Sequence, residues 1–574
     1  MPPYLVWWNL LSSGLSLGIA LGIGLTAVLL KNKNGADSSI AIPARFRLLA
    51  VLGTTSLAIY GLYFLLLFPL HRYYNLKQVS LGGVAERHAG VALGTTAATL
   101  ALFLLYYLAY RLCRGQNDRR LWVILLLGVL LFALVTFFVC IITTLDPYDY
   151  IARGRITGVH GGNPYVQVPN DYPADPFMEH IAWRNATSAY GPLWEVLSGL
   201  ISRCAGDRLW PNVLAYKGLA LVSYLLSTLM IAATLRRVAP DHALSGTLLF
   251  AWNPLVLLEG LANAHNDLLM VALLLSAFWV LSQTHQTSTE ESTSNKRTWG
   301  LVYGGLALVL LGMAVLVKFV PILLFPPFLL YLLVRERCWQ RQLGLGLLLL
   351  IPVALVFVQC YYIFWQWPDV ANTLVRRVDM FRMSIASVTK EALQQHIDNE
   401  VAQALASWPF LVAFVLSYLI VLGRTTYALR KTPPPEGEGE SLASRRGFLR
   451  AVGRFLLGRW EIGQKRPWDI LVGACFSIFL LYLLLANFWF WPWYLTWPIA
   501  LLALSGDERT VVPLTLAGCA GEVSHVGWNF VWYWLGISWD TLYQVDALVV
   551  FFMVVPALLA YAIPKHRELR SNEQ

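Results

Sequence analysis

Long apolar runs recur along the whole chain, and they restrict its fold more than any other feature. We count about fifteen of them, several short, separated by Arg-rich or Gly- and Pro-rich breaks. An α-helix needs about 20 apolar residues to cross a bilayer. The 574 residues are 57% hydrophobic and 13% charged, with a mean hydropathy of +0.57, which excludes a soluble globular protein. The sequence therefore predicts an all-α polytopic membrane protein.

The charge and the cysteines exclude further classes of protein. The net charge is +10, but the basic residues fall in alternate loops, as topology determinants do, and not on one nucleic-acid-binding face. The seven cysteines are scattered without CxxC spacing, which indicates neither a disulfide framework nor a metal site. The N-terminal apolar run lacks a basic region before it, so we expect no cleaved signal peptide.

Lys and Arg orient the first predicted spans, 4–30, 48–70, 91–110 and 121–144. The loops 31–47 and 111–120 each carry four Lys or Arg residues and are predicted to be cytoplasmic. The fourth span then delivers Asp146 to the outer face. The outer loop 145–190 holds five acidic residues and three arginines, which fits this orientation.

The rest of the chain continues the alternation. Segment 191–204 is too short to cross, and we interpret it as an interfacial or re-entrant helix. The later predicted spans are 213–235, 244–261, 267–281, 301–317, 319–334, 343–365, 408–422, 470–486, 490–504, 511–527 and 545–563. About 13–15 transmembrane helices are therefore expected.

Four regions follow from this pattern. They are N-terminal transmembrane helices (1–120), a transmembrane core with the outer loop 145–190 (121–365), an outer loop (366–407) and a C-terminal transmembrane region (408–574). The last contains a basic cytoplasmic loop, 424–466, with a flexible Pro- and Gly-rich linker.

Four separate motifs are predicted to reach the same outer face. They are 146–165, the segment 253–267, Lys318 within VLVKFVP, and the aromatic run 488–497. An ionised Asp146 at a membrane surface is suited to accept a proton from an attacking hydroxyl, although it could equally cap a turn before a proline. Asp149 could be a second acid, a metal ligand or the partner of Arg153.

The remaining candidates also have two interpretations each. GGNPY, at 161–165, permits close approach of backbone to ligand, but alone it is only a turn. His265 could donate to a phosphate or share a proton, whereas Asn266 or Asp267 could cap a helix. Lys318 could bind phosphate or snorkel to the interface. The aromatic run suits an interfacial belt as well as sugar stacking.

These motifs resemble the bacterial GT-C glycosyltransferases that take mannose from a polyprenyl-phosphate donor, a group that includes mycobacterial α-mannopyranosyltransferases. The resemblance covers about 121–505 and rests on Asp146 with Tyr150 and Gly154 before GGNPY, then YGPLWE, WNPLVLLEG with HND, VKFVP and PWYLTW. The family has an Arg-Tyr-x-x-Asp-Gly-like run where this chain has Asp149, Tyr150, Arg153 and Gly154. The swapped charges are compatible with a salt bridge of reversed polarity or with a different acceptor.

The resemblance implies an inverting transfer of a hexose, most readily mannose, to a glycan or glycolipid acceptor outside the plasma membrane. Asp146 would be the base, and His265 and Lys318 would lie near the lipid phosphate. The full candidate set comprises catalytic Asp146, Asp149 and His265, and substrate-binding Tyr150, Arg153, Asn163, Tyr165, Tyr190, Glu259, Asn266, Asp267, Lys318, Arg376, Arg382, Trp493 and Tyr494. A lipid monophosphate leaving group needs less charge compensation than a nucleotide diphosphate, so no obligatory metal is expected. No cofactor and no nucleic-acid partner are expected either.

Two other classes of function stay open at this stage. A transporter or flippase also has many spans with polar breaks at the membrane edge. We find no inverted repeat, and the acids Glu195, Glu259 and Glu522 fall near predicted outer ends of spans rather than mid-span. A structural protein of the envelope would leave the outer-face motifs without a purpose.

Overall fold

Helices form the regular structure of the described chain, as the apolar runs predict. The computed structural model describes residues 42–77, 79–285, 293–334, 336, 338–365, 380–431, 466–537 and 543–562. Within these ranges, strand-like pairing is limited to two isolated bridges, Pro69 with Val139 and Arg382 with Trp489. The predicted all-α polytopic class is confirmed.

The α-helices are numbered here in chain order. The first ten are α1 Ile42–Ala58, α2 Leu70–Tyr73, α3 Leu81–Val84, α4 Ala89–Cys113, α5 Arg119–Phe137, α6 Asp146–Gly158, α7 Pro192–Ala205, α8 Leu209–Val238, α9 Ala243–Ala251 and α10 Asp267–Ser282. The others are α11 Thr293–Val317, α12 Phe325–Leu333, α13 Trp339–Tyr362, α14 Ile385–Leu393, α15 Asn399–Lys431, α16 Pro467–Leu481, α17 Thr496–Ser505, α18 Glu508–Val526, α19 Trp532–Trp534 and α20 Tyr543–Ala562. The π-helical segments are Ile59–Leu65, Val256–Ala262, Tyr482–Ala486 and Gly527–Val531, and the 3₁₀ segments are Pro169–Asp171, Met178–His180, Pro240–His242, Gln283–His285, Val320–Leu324 and Pro492–Leu495.

Eight helices of the described residues are long and apolar enough to cross a membrane, or nine if the pair Pro240–Ala251 and Val256–Ala262, bent by 57°, is one span. Three shorter apolar helices accompany them. The number found in the described residues is below the 13–15 expected for the whole chain. The predicted spans 244–261, 319–334 and 490–504 are interrupted by bends or prolines, and 267–281 and 545–563 are among the shorter apolar helices. The first predicted span, 4–30, lies outside the described residues.

Two predicted segments have different boundaries from those expected. The described part of loop 366–407 contains α14, and α15 begins at Asn399 rather than at residue 408. Segment 191–204 is the 14-residue α7, too short to cross, as expected. Within the basic loop 424–466, residues 432–465 lie outside the described part.

The helices place two chemically different ends on the molecule. At one end, arginines contact neighbouring helix termini: Arg114 pairs with Glu508, Arg237 donates to the Ser282 carbonyl and Arg466 to the Val238 carbonyl. The 19-residue α5 runs from this end, and at about 1.5 Å per residue it spans roughly 28 Å, close to a bilayer core. The segment after α5 leads to Asp146 at the other end.

Close packing of two short helices fixes Asp146 relative to the bundle. Helix α6 lies on α7, and Gly154 and Gly158 face it. A Cβ at Gly158 would lie 3.0 Å from the Gly199 Cα, and one at Gly154 would meet the Ser198 carbonyl. These glycines therefore permit the close approach that places the N-terminus of α6.

Candidate active site

Asp146 is the first residue of α6, yet it does not cap the helix. Leu145 holds the N-cap position without a side-chain bond, and Thr144 Oγ1 accepts from the Asp146 amide at 3.1 Å. The Asp146 side chain is 23% exposed, and its Oδ2 lies 3.6 Å from His265 Nδ1. The carboxylate is therefore reachable and directed at an imidazole.

His265 is fully buried between two carboxylates. Its Nε2 lies 3.3 Å from Glu259 Oε2, and its ring stacks on Trp493 with centroids 4.0 Å apart. The imidazole is therefore covered on its face and lies within ion-pair distance of both carboxylates, but neither ring nitrogen makes a hydrogen bond among the described residues. Direct contact with a donor phosphate, as the sequence suggested for His265, does not fit this burial.

An irregular backbone brings these groups together. Glu259 lies on the π-helical segment Val256–Ala262, and Ala264, just before His265, has a left-handed φ of 54°. Asn263 Oδ1 accepts from the amides of Ile142 (3.0 Å) and Thr143 (3.3 Å), tying this loop to the segment before Asp146. A strained non-glycine residue persists only where its surroundings over-determine it, which here is next to the imidazole.

Lys318 and Asp267 form an ion pair beside this chain of acids and imidazole. Lys318 Nζ lies 2.8 and 3.0 Å from the two Asp267 oxygens, and Trp497 Nε1 donates to Oδ1 at 2.6 Å. The ammonium also lies over the Tyr494 ring, 4.4 Å from its centroid. Lys318 is thus paired rather than snorkelling, and Asp267 makes contacts well beyond those of a helix cap.

Asn266 stands next to this ion pair. It is 2% exposed, and neither polar atom of its amide has a hydrogen-bond partner among the described residues. A buried amide left in this state is suited to a hydroxyl of a bound ligand.

Asp149 is buried one turn into α6. Its Oδ1 accepts from the Trp183 amide at 3.2 Å, while its Oδ2 has no partner within the described chain. Arg153 donates to the backbone carbonyl of Asp149 and to that of Ala186, so the expected carboxylate–guanidinium bridge is not formed. Burial raises the pKa of Asp149 to about 7, with Arg153 lowering it and Asp146 raising it.

Four candidate substrate contacts also pack against one another. Asn163 Oδ1 accepts from the Tyr165 amide, which closes the GGNPY turn, and Gly161 has a φ of +66°. Tyr165 donates its hydroxyl to the Tyr190 carbonyl at 2.8 Å, and Tyr150 packs edge-on against Tyr190. These contacts lie within the loop 145–190, and Tyr150 also packs edge-on against Trp194 of α7.

A row of tryptophan side chains extends from His265 to a second cation, Arg382. Trp493 stacks on Trp491, which contacts Trp528, and the Arg382 guanidinium lies 4.7 Å from the Trp528 ring centroid. Arg382 Nη1 is also 3.5 Å from Asp546 Oδ2. Of the two outer-loop arginines proposed as contacts, Arg376 lies outside the described residues.

Sequence reasoning missed part of the cluster. His525 Nε2 lies 2.9 Å from Glu259 Oε1, which also accepts from Thr143 Oγ1 at 2.8 Å, and Glu522 stands one turn before His525. The available signal was Glu-x-x-His within the predicted span 511–527, since this spacing puts both side chains on one helix face.

Fold and site together define a multi-pass membrane protein with a carboxylate–imidazole–carboxylate chain gathered at one end of its helices. The family described as alpha-(1->6)-mannopyranosyltransferase, N-terminal domain, matches residues 42–335, about half of the chain, and the chain belongs to it. This range includes Asp146, Glu259, His265 and Lys318.

Alpha-(1->6)-mannopyranosyltransferase A of Corynebacterium glutamicum is 28% identical over 129 residues, which cover 22% of this chain and 26% of that protein. The match thus spans about a quarter of the relative's length. No solved structure matches.

Proposed function

We propose that the protein is an integral-membrane glycosyltransferase that transfers mannose from a polyprenyl-phosphate donor to a glycan or glycolipid acceptor. The observation that carries the proposal is the reachable Asp146 carboxylate, aligned by the buried pair His265–Glu259. Membership in a family named for α-mannopyranosyl transfer supports the sugar.

Asp146 acts as the general base in this scheme. Its carboxylate accepts the proton of an acceptor hydroxyl while that oxygen bonds to C1 of the mannose. The C1–oxygen bond to the lipid phosphate breaks on the opposite face, and the phosphate leaves with the electron pair. A β-linked donor therefore gives an α-linked product, and His265 holds the carboxylate in the reactive orientation.

The donor phosphate is placed near Lys318 and Arg382. Both cations are partly exposed and flanked by the aromatic side chains that can cover a prenyl chain. Each also has a carboxylate partner, Asp267 or Asp546, which leaves moderate positive potential for a monophosphate. We propose that no metal ion acts at this phosphate.

The site is proposed to face outward from the plasma membrane. It lies at the helix ends remote from Arg114, Arg237 and Arg466. Because basic loop residues stay on the cytoplasmic side, the end with Asp146 is extracytoplasmic.

The test is transfer of radiolabelled mannose from polyprenyl-phosphate-mannose to short mannosides by the purified chain. Asp146→Asn keeps the shape of the side chain and removes the base, and we expect kcat to fall about 10²–10⁴-fold with donor binding retained. Asp241→Asn, an exposed acid at the other end of the helices, is the matched control and should keep full activity.

Two results would contradict the proposal. If Asp146→Asn retains more than about a tenth of the wild-type kcat, Asp146 is not the base. If the wild-type chain folds but neither binds nor uses the lipid donor, the donor class is wrong.

A further inference from the structure

Three side chains behind His265 form a second polar centre that the transfer reaction does not use directly. Glu259, Glu522 and His525 each present one ligand atom, and these atoms lie within 4.8 Å of one another. Glu259 comes from the π-helical segment Val256–Ala262, and the other two come from one face of α18. The two segments thus converge on one small volume.

The two carboxylates in this volume are unequally paired within the described residues. All three side chains are at most 5% exposed. Glu259 faces His525 and His265, but Glu522 has no ion-pair partner in the described ranges, and its Oε1 makes no hydrogen bond there. Two carboxylates buried side by side are costly unless something positive lies between them.

The spacing suits a metal ion. Oxygen and nitrogen ligands lie about 2.0–2.2 Å from a bound Zn²⁺, so ligand atoms of one ion are at most about 4.4 Å apart. The three atoms here lie within 4.8 Å, so binding an ion requires the side chains to move together by a few tenths of an ångström. The 2.9 Å between Glu259 Oε1 and His525 Nε2 is the spacing of neighbouring ligands. Two carboxylates with one imidazole suit Mn²⁺ or Zn²⁺ better than Mg²⁺ or Ca²⁺, which prefer all-oxygen sites.

We propose that Glu259, Glu522 and His525 bind one divalent transition-metal cation, of the Mn²⁺ or Zn²⁺ type. The cation lies on the Glu259 side of His265, whereas Asp146 lies at the other ring nitrogen. It therefore contacts neither the base nor the donor phosphate. By fixing one oxygen of Glu259, it leaves the other to hold His265, and Thr143 steadies the same carboxylate.

The proposal does not depend on the reaction, because binding is measured without donor or acceptor. Tag-free full-length protein in detergent is incubated separately with MnCl₂, ZnCl₂ or MgCl₂ and desalted. Metal content is then measured by mass spectrometry, and Mn²⁺ also by electron paramagnetic resonance. We expect about one equivalent of Mn²⁺ or Zn²⁺ and no retained Mg²⁺.

Three variants give a graded response. Glu522→Gln removes a ligand and should abolish retention of the metal. Thr143→Val removes only the hydroxyl bonded to Glu259, and should weaken binding about 10–100-fold, as for groups that support a ligand. Glu195→Gln is the matched control, a buried glutamate bonded to Ser188 outside the cluster, and should keep the full equivalent.

Each outcome of the metal-binding experiment either supports or overturns the proposal. Failure of the wild-type protein to retain either ion overturns the proposal, and so does full retention by Glu522→Gln. If Glu522→Gln does not fold, as judged by size-exclusion chromatography, Thr143→Val decides: unchanged affinity overturns the proposal, and weakened affinity supports it.

Discussion

The ion pair between Lys318 and Asp267 permits a test that separates its structural role from donor binding. At 2.8 Å and an effective dielectric constant of about 20, the gross attraction is about 6 kcal/mol, which desolvation of both groups offsets in large part. Removing one partner leaves the other charge buried, and costs about 3–5 kcal/mol. Asp267→Asn and Lys318→Met should therefore each lower the unfolding temperature.

The double variant Asp267→Asn/Lys318→Met should lose less stability than the sum of the losses in the two single variants. Asn at 267 still accepts from Trp497, and Met at 318 still covers the Tyr494 ring, so the pair can be replaced without leaving a charge unpaired. We expect a coupling of about 2 kcal/mol or more, measured as a double-mutant cycle by thermal unfolding in detergent. Additive losses would refute the coupling and the geometry from which it was calculated.

The double variant should regain thermal stability but not the wild-type kcat/KM for the lipid donor. If Lys318 also contacts the lipid phosphate, a lost charge-assisted bond of about 1.5–3 kcal/mol lowers kcat/KM for the donor about 10–100-fold. This loss should appear in Lys318→Met and remain in the double variant. Recovery of normal donor kinetics in the double variant would show that Lys318 serves only to neutralise Asp267.

Two further predictions concern α6 and its packing. The pKa of Asp149 in the folded protein, about 7, lies above that of an aspartate in the unfolded chain, so protonation of Asp149 stabilises the folded state. This contribution to the free energy of unfolding is complete below about pH 4 and is lost as the pH rises through 7. Melting temperatures between pH 5 and 8 should fall more steeply for the wild type than for Asp149→Asn, and equal slopes would contradict this. Gly154→Ala forces a methyl group against the Ser198 carbonyl and should destabilise the fold by about 1–3 kcal/mol. The control is Gly218→Ala, in open space on α8, which should not destabilise the fold. Equal melting temperatures for the two variants would argue against tight packing of α6 on α7.

Much of the fold could be predicted because lipid imposes a simple rule on sequence. The apolar run 91–110 became α4 with small shifts at its ends, whereas α5 ends at Phe137, seven residues before the end of the predicted span 121–144. The span 408–422 was predicted too short, since the amphipathic first turns of α15 carry polar residues that a hydropathy pattern excludes. Composition locates a span better than it locates the ends of the helix.

The site was predicted less completely, because its partners are set by tertiary contacts. Asp146 and His265 were both placed on the outer face, and they do meet. The burial of His265 between Asp146 and Glu259 could not be inferred from neighbours in sequence. His525 was missed because a lone histidine inside an apolar run is more often a packed core residue than part of a site.

Three predicted spans that proved discontinuous carry or adjoin part of the site, whereas Asp146 follows the end of α5. The bent span 244–261 holds Glu259, the break after α11 presents Lys318, and the 3₁₀ segment Pro492–Leu495 presents Trp493. In lipid, backbone outside a regular helix keeps unpaired polar groups, so it is tolerated only where protein covers it or where it lines a polar cavity. An interruption in a predicted span therefore marks a place where the backbone is covered by protein or lines a polar cavity, and does not face lipid. Here the interruptions place an acid (Glu259), a cation (Lys318) and an aromatic ring (Trp493) in the same part of the protein. Continuous apolar helices would not present these side chains in this way.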